Sequence, residues 1–378
     1  MSMDTCPASP PGYFYRGDCK LLCRSAEWFD VIIFFLGNYV AHIPTVVSRP
    51  GQSLAGNILF PILALLFPGT GIAKAMGAIE SRAIFAPTKL QMAARAGALY
   101  MVAPVKALKR RPARPRSSQD AGEDGNGSGG MPRFLSTTMH GVCRLPKGYC
   151  FIPLGKGARF ANDPEDDPAS VGKRLLSGLT SAFRPQRTDR PAIACDYNVI
   201  KIIVAIVQLA FALVTLYRTR GDQITMYGYA AFGLTVAQYA WMSLLNLIGS
   251  LVCPNYPSIF VVESQTLKDL RARIEAAGET ASYPLSGTVG ELTGPAEEKI
   301  LRKFDMTSRS DFAVASVFGP YVGTVPIAII GGLSKFSLGG STLYQRVWTM
   351  MWLVFGFLIG PFMILDYGVC IRLREVSI

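Results

Sequence analysis

The chain has 378 residues, of which half are hydrophobic and only 17% are charged, well below the usual quarter for a water-soluble domain. Its net charge is +12, but the basic residues sit between apolar blocks, and no RNA- or DNA-reading motif accompanies them. That placement predicts membrane orientation and no nucleic-acid partner.

Residues 1–27 are a polar tail without the basic, apolar, small-residue order of a cleaved leader. Residues 28–48 form the first candidate span, about 20 residues being enough to cross the hydrocarbon core. A polar turn at RPGQSL leads into a second span over 55–79, which Pro61, Pro68 and Gly69 should kink. Residues 89–109 are interrupted by Arg95, Pro104 and Lys106, and read as a basic helix lying on the membrane surface within an 80–108 segment.

Residues 109–131 carry charge, proline, glycine and serine with little to bury, and read as disordered. The remainder of 109–194 is polar, with room for two short strands around the Pro-Lys-Gly turn of VCRLPKGYCFIPL. Third and fourth spans follow at 195–217 and 226–252, making a second hairpin over 195–253. Residues 254–311 return to polar sequence, with a short amphipathic helix ended by Gly278. Spans over 312–334 and 347–371 complete a third hairpin, and 372–378 are a C-terminal tail.

The expected fold class is therefore an all-α membrane protein, with about six transmembrane helices in three hairpins and partly disordered cytosolic loops. Of the 38 Lys and Arg residues, 19 fall within 80–194, whereas the short turns carry few. The positive-inside rule then places both termini and both long loops in the cytosol. Whether the membrane is the plasma membrane or an endomembrane is not encoded.

Ionisable groups within apolar segments are costly and mark candidate sites. Lys74, Lys201 and Asp366 lie near the cytosolic ends of their spans and form a candidate polar cluster, with Asp366 as the counter-charge. Snorkelling of each lysine to the headgroups is the competing reading. His42, Asn38, Gln208, Gln238 and Asn246, with Ser243, either line a solute path or serve as interhelical hydrogen-bonding glue. The pairs Gly319/Gly323 and Gly356/Gly360 place small residues one turn apart, suiting close packing or a homo-oligomer.

The basic run 106–116 follows directly and suits anionic lipid headgroups, with Ser117 and Ser118 as candidate modification points. Neither His140, Cys143 and Cys150 nor Cys19 and Cys23 have zinc-site spacing, so no metal and no cofactor is expected. Hydrolase elbows, metalloprotease helices and phosphate loops are also absent from the sequence. The chain reads as a non-enzymatic scaffold or organiser working through its cytosolic loops, with a small-solute transporter or channel as the alternative.

The segment 216–264, with its Tyr-Arg-Thr-Arg-Gly-Asp-Gln turn and Tyr-Gly-Tyr-Ala-Ala-Phe-Gly start, resembles a recurring segment of uncharacterised multi-spanning membrane proteins of filamentous fungi. Residues 34–51 and 140–154 are similar to further segments of that group. The resemblance implies a fungal origin and several membrane spans, and it implies no activity.

Overall fold

The computed structural model describes residues 7–16, 21–24, 27–105, 138–155, 157–161, 193–301 and 324–354. Most of these residues are helical, but the chain is not all-α. A five-stranded mixed sheet forms a head on a helical body, and a two-stranded hairpin, β1 (Tyr13–Arg16) with β2 (Leu21–Arg24), precedes the first helix.

The body begins with α1 (Trp28–Asn38). It does not continue as one span. Beyond Tyr39 the chain winds into a 3-10 segment, Val40–Thr45, which contains Pro44. Proline removes a backbone donor and crowds the preceding turn, so the α-helix cannot run through this stretch. After a turn, α2 (Leu54–Leu66) and α3 (Pro68–Ser81) replace the expected second span, and the pair is bent by 119°. Pro68 opens α3, where its missing donor costs nothing. The kink expected from the prolines is thus a reversal.

Next come α5 (Val199–Thr219), α6 (Asp222–Tyr227), two short 3-10 turns, and α7 (Ala237–Val252). A helix Thr324–Ser334 and another over 343–354 follow. Among the described residues two helical stretches are long and apolar enough to cross a membrane, Val199–Thr219 and Phe232–Val252, or three if the bent α2–α3 pair counts as one. Six spans in three hairpins are thus not confirmed among the described residues, which leave out much of 312–334 and 347–371. Asp366, Gly319, Gly323, Gly356, Gly360 and the basic run 106–116 lie outside the described residues.

Contacts fix the directions of the elements. The backbones of Asp196 and Asn255 exchange hydrogen bonds of 3.0 and 2.9 Å, so the start of α5 and the end of α7 meet. Alongside α5, Val46 faces Lys201, Asn38 faces Thr215, and Phe34 stacks on Phe232 beyond the α5 end. Hence α1 runs antiparallel to α5, and Trp28 lies towards the end opposite the Asp196–Asn255 clamp. At that opposite end, Tyr229 donates to the Ser337 carbonyl at 2.9 Å and Gly340 to Met226 at 2.6 Å. A Cβ on Gly228, whose φ is +58°, would run into the backbone of Ser337 and Leu338.

The expected turn at 49–54 lies against the head. Gly51 donates to the Tyr256 carbonyl and accepts from Thr138, both part of the head. The end of α3 is on the head side as well, because Ala83 and Ala86, just beyond it, pack with Cys195 and Cys253. Both ends of the α2–α3 pair therefore face the head, and the pair enters and returns.

The head gathers strands from three distant stretches, in the order β4-β3-β6-β7-β5. β3 (Leu99–Pro104) and α4 (Lys89–Arg95) occupy the stretch expected to be a surface helix. That expectation fails because Leu-Tyr-Met-Val-Ala-Pro is buried on both faces of a sheet. A strand covered on both sides reads as a short continuous apolar run, which periodicity cannot tell from a helix. β3 pairs antiparallel with β4 (Tyr149–Pro153) and parallel with β6 (Phe260–Glu263). β7 (Thr288–Leu292) adds parallel to β6, and β5 (Phe160–Ala161) antiparallel to β7.

The stretch predicted to hold two strands around a Pro-Lys-Gly turn gives β4 and a single bridge, Cys143 to Leu285. The expected amphipathic helix is α8 (Gln265–Ala276), with Gly278 in the left-handed conformation just beyond it. Its Leu267, Leu270 and Ile274 cover Val102 and Val261 on one sheet face. Ala93 and Ala94 of α4, with Ala296, cover Leu99, Met101, Ile152 and Phe260 on the other.

Met101, at the centre of β3, is fully buried. Met101→Ala is expected to cost about 2–5 kcal/mol of head stability. Thermal unfolding of the variant against the parent checks this, and an unchanged transition would contradict the central position of β3.

Candidate functional site: a polar seam along the broken helix

The break after α1 creates a local problem. Residues 40–47 leave backbone groups without i to i−4 partners, in the interior of the body, where each unbonded group is costly. One face of α7, continued by the 3-10 turn Phe232–Val236 before it, answers it. Thr235, Tyr239, Ser243 and Asn246 recur at helical spacing and line up along the break.

The contacts run in register. Tyr39 Oη pairs with Thr235 Oγ1, and the rings of Tyr39 and Tyr239 meet edge to face at 4.7 Å. His42 Nδ1 and Ser243 Oγ are 2.6 Å apart. The Thr45 hydroxyl donates to the His42 carbonyl at 2.7 Å, and its oxygen lies 3.4 Å from Ser243 Oγ. The Val47 N–H donates to Asn246 Oδ1 at 2.9 Å, while Asn246 Nδ2 donates to the Met242 carbonyl at 2.8 Å. Nearer the Phe232 end, the Thr215 hydroxyl donates to Asn38 Oδ1 at 2.9 Å and Asn38 Nδ2 to Phe34 O at 3.0 Å.

The structure thus brings His42, Asn38 and Asn246 into one seam, and each is at most 2% exposed. Gln238 is 4% exposed, and its Nε2 has no bonding partner. Gln208 lies on α5, with its buried Oε1 also unpartnered, and makes no bond to the others. His42 Nε2 is likewise without a partner. The serine hydroxyl can donate to Nδ1 or accept from it, so either neutral tautomer fits, and Nε2 remains the open position of the ring.

Sequence reasoning missed Tyr39, Thr45, Thr215, Thr235 and Tyr239. The spacing of Thr235, Tyr239, Ser243 and Asn246 carried the signal. So did the density of hydroxyl and amide residues around Pro44.

Lys74 and Lys201 are at the head end of the same region. Lys201 Nζ donates to the Val46 carbonyl and lies 3.4 Å from Ser48 Oγ. Lys74 Nζ sits 3.8 Å from the centre of the Phe60 ring, and it is within electrostatic range of Lys201 and Arg49. The third member expected in this cluster, Asp366, is outside the described residues.

In the head, His140 stacks against Phe260 at 5.0 Å instead of joining Cys143 and Cys150. The Cys150 thiol donates to the Ala103 carbonyl at 3.6 Å. Burial pushes the Cys143 thiol up to about 11, the nearby Arg271 only partly opposing it, and burial raises the Cys195 thiol too. Among the described residues no group of three or more His, Cys, Asp or Glu residues is placed to hold a metal ion.

No protein-family model, no curated protein and no solved structure matches this chain. These comparisons support no family and no taxonomic group for the chain.

Two outcomes test this geometry. Asn246→Ala strips the Val47 N–H of its acceptor in a dry setting and is expected to cost about 1–3 kcal/mol, read as a lowered unfolding transition of the purified protein. Cys143 is expected to stay unreactive towards a thiol reagent at pH 7–9, since only the thiolate attacks. Mass spectrometry of labelled peptides checks this, and rapid labelling at pH 7 would contradict it.

Proposed function

We propose that the chain is an integral membrane protein whose helical body spans the bilayer, and that it works as a non-enzymatic scaffold or organiser through its α/β head. The lipid bilayer is its first partner. Val199–Thr219 turns a long apolar surface outward, with Ile200 77% and Val207 58% exposed, and hydrocarbon is the medium such a surface fits.

One observation carries the choice between scaffold and transporter. The seam residues His42, Ser243 and Asn246 are fully buried and bonded to one another and to the broken backbone. Apart from His42 Nε2, their polar atoms are engaged with neighbouring helices and the broken backbone, which is the glue reading. The transport reading keeps one supporting feature, the bent α2–α3 pair. Discontinuous helices near charged side chains are a recurrent way of building solute sites.

For orientation, the long basic stretches favour a cytosolic head. The antiparallel run of α1 against α5 supports an N-terminal hairpin on the other side of the membrane. That departs from the expectation that both termini share the cytosol. The basic run 106–116 remains a proposed contact for anionic lipids, and Gly319/Gly323 with Gly356/Gly360 a proposed oligomer contact.

Epitope tags at the N-terminus and after Ser282 provide the test in sealed, oriented vesicles. Opposite accessibility to an impermeant protease is expected, and accessibility from one side would sink the orientation. Ser243→Cys, compared with its parent, is expected to resist an impermeant thiol reagent. Ready labelling there would favour the transporter.

A further inference from the structure

We infer that Lys74 and Lys201 form a binding site for a phosphate-bearing anion, filled in the membrane by an acidic phospholipid headgroup. The inference rests on the membrane reading for its lipid source, and on the geometry of the body–head junction for the site itself.

The stretch Val46–Ser48 threads between three helices. Val46 belongs to the buried cluster of Ala64, Ile72, Ala75, Tyr239, Met242 and Leu245. Val47 reaches the point where α7 and α3 touch, since a Cβ on Gly249 would meet Val47 and the Ala75 carbonyl, both at 3.3 Å. Lys201 approaches this strip from α5 and bonds Val46 and Ser48. Lys74, the residue before Ala75, approaches from α3 and lies over Phe60 of α2. Lys201 bonds the Val46–Ser48 strip, and Lys74 adjoins Ala75, which packs with Val46, so two lysine side chains from different helices approach one strip.

Their partners are of a particular kind. Lys74 has an aromatic face, and Lys201 a carbonyl and a hydroxyl. Among the described residues neither ammonium makes an ion pair with a carboxylate. Like charges brought together away from bulk water repel, and an anion between them removes that cost. Lysine serves phosphate as a compact point charge.

α2 begins just after this turn, with Ser53 accepting from the Gly56 N–H as its cap. Both lysines are partly rather than fully buried, so the site is reachable. The level is where the body meets the head, because Gly51 of this turn is bonded to Tyr256 and Thr138. Headgroups reside at that depth. Next to it, Leu54 is 78% exposed and Ile58 58% exposed on the outer face of α2, an apolar track for acyl chains.

The test uses the full chain, purified in neutral detergent, with thermal unfolding as the readout. Dioctanoyl phosphatidic acid is expected to raise the transition by about 3–5 °C at saturation, and dioctanoyl phosphatidylcholine to leave it unchanged. The double variant Lys74→Gln, Lys201→Gln loses the shift, while Lys74→Arg, Lys201→Arg keeps most of it. Neutralising Lys106, Lys109, Arg110 and Arg111 keeps it as well. If the double variant aggregates, Lys74→Gln is read alone, since Lys74 makes no hydrogen bond that its loss would break.

Inorganic phosphate matching the lipid would leave the site standing and make a small anion its ligand. A shift that survives in the Gln variants, that disappears with the basic run, or that no anion produces overturns the inference. Should the chain prove soluble without detergent, the membrane reading fails, and the inorganic phosphate arm still judges the site.

Discussion

The Val47–Asn246 hydrogen bond is the smallest unit from which the body's arrangement follows. Once Pro44 forbids a continuous helix, the backbone past Tyr39 must find acceptors and donors inside a medium that offers none. α7 supplies them at successive turns, which ties the break to α7 and sets how deep α1 can sit. With the break fixed, the turn at 46–53 comes to the head, and α2 starts from there. The reversal at Phe67 and Pro68 then brings α3 back beside α7, with Gly71 and Gly249 permitting the close approach.

This explains where sequence reading succeeded and where it stopped. Val199–Thr219 was legible because a 21-residue, mostly apolar stretch interrupted only by scattered polar residues such as Lys201 and Gln208 has one plain solution. α8 was legible from its three-and-four spacing and its terminal glycine. The first two candidate spans had the right length and composition, but length does not reveal a reversal. Pro68 signalled a kink, and only the packing of α3 along α7 shows that the chain turns back.

The head escaped for a different reason. Leu99–Pro104 needs neighbours from residues 149–153 and 260–263 before it is a strand at all, and no local pattern contains that pairing. Among the site residues, His42, Asn38 and Asn246 were identifiable as polar atoms in apolar company. Gln208 shared the same property but not the position. Tyr39 and Tyr239 were invisible because tyrosine suits both lipid interfaces and dry cores.

The order of segments in the head has a consequence for biogenesis. β3 and β4 leave the ribosome before α5, α6 and α7, whereas β6 and β7 emerge after them. The parallel partner of β3 is therefore delivered only when the intervening helices have been made and the end of α7 has returned beside the start of α5. A chain in which α7 failed to return to the start of α5 would keep β6 from β3 and leave an open apolar edge on the sheet. Completion of the sheet therefore depends on the helical body having packed first, so an unpaired β3 edge would mark a chain whose helices are out of place.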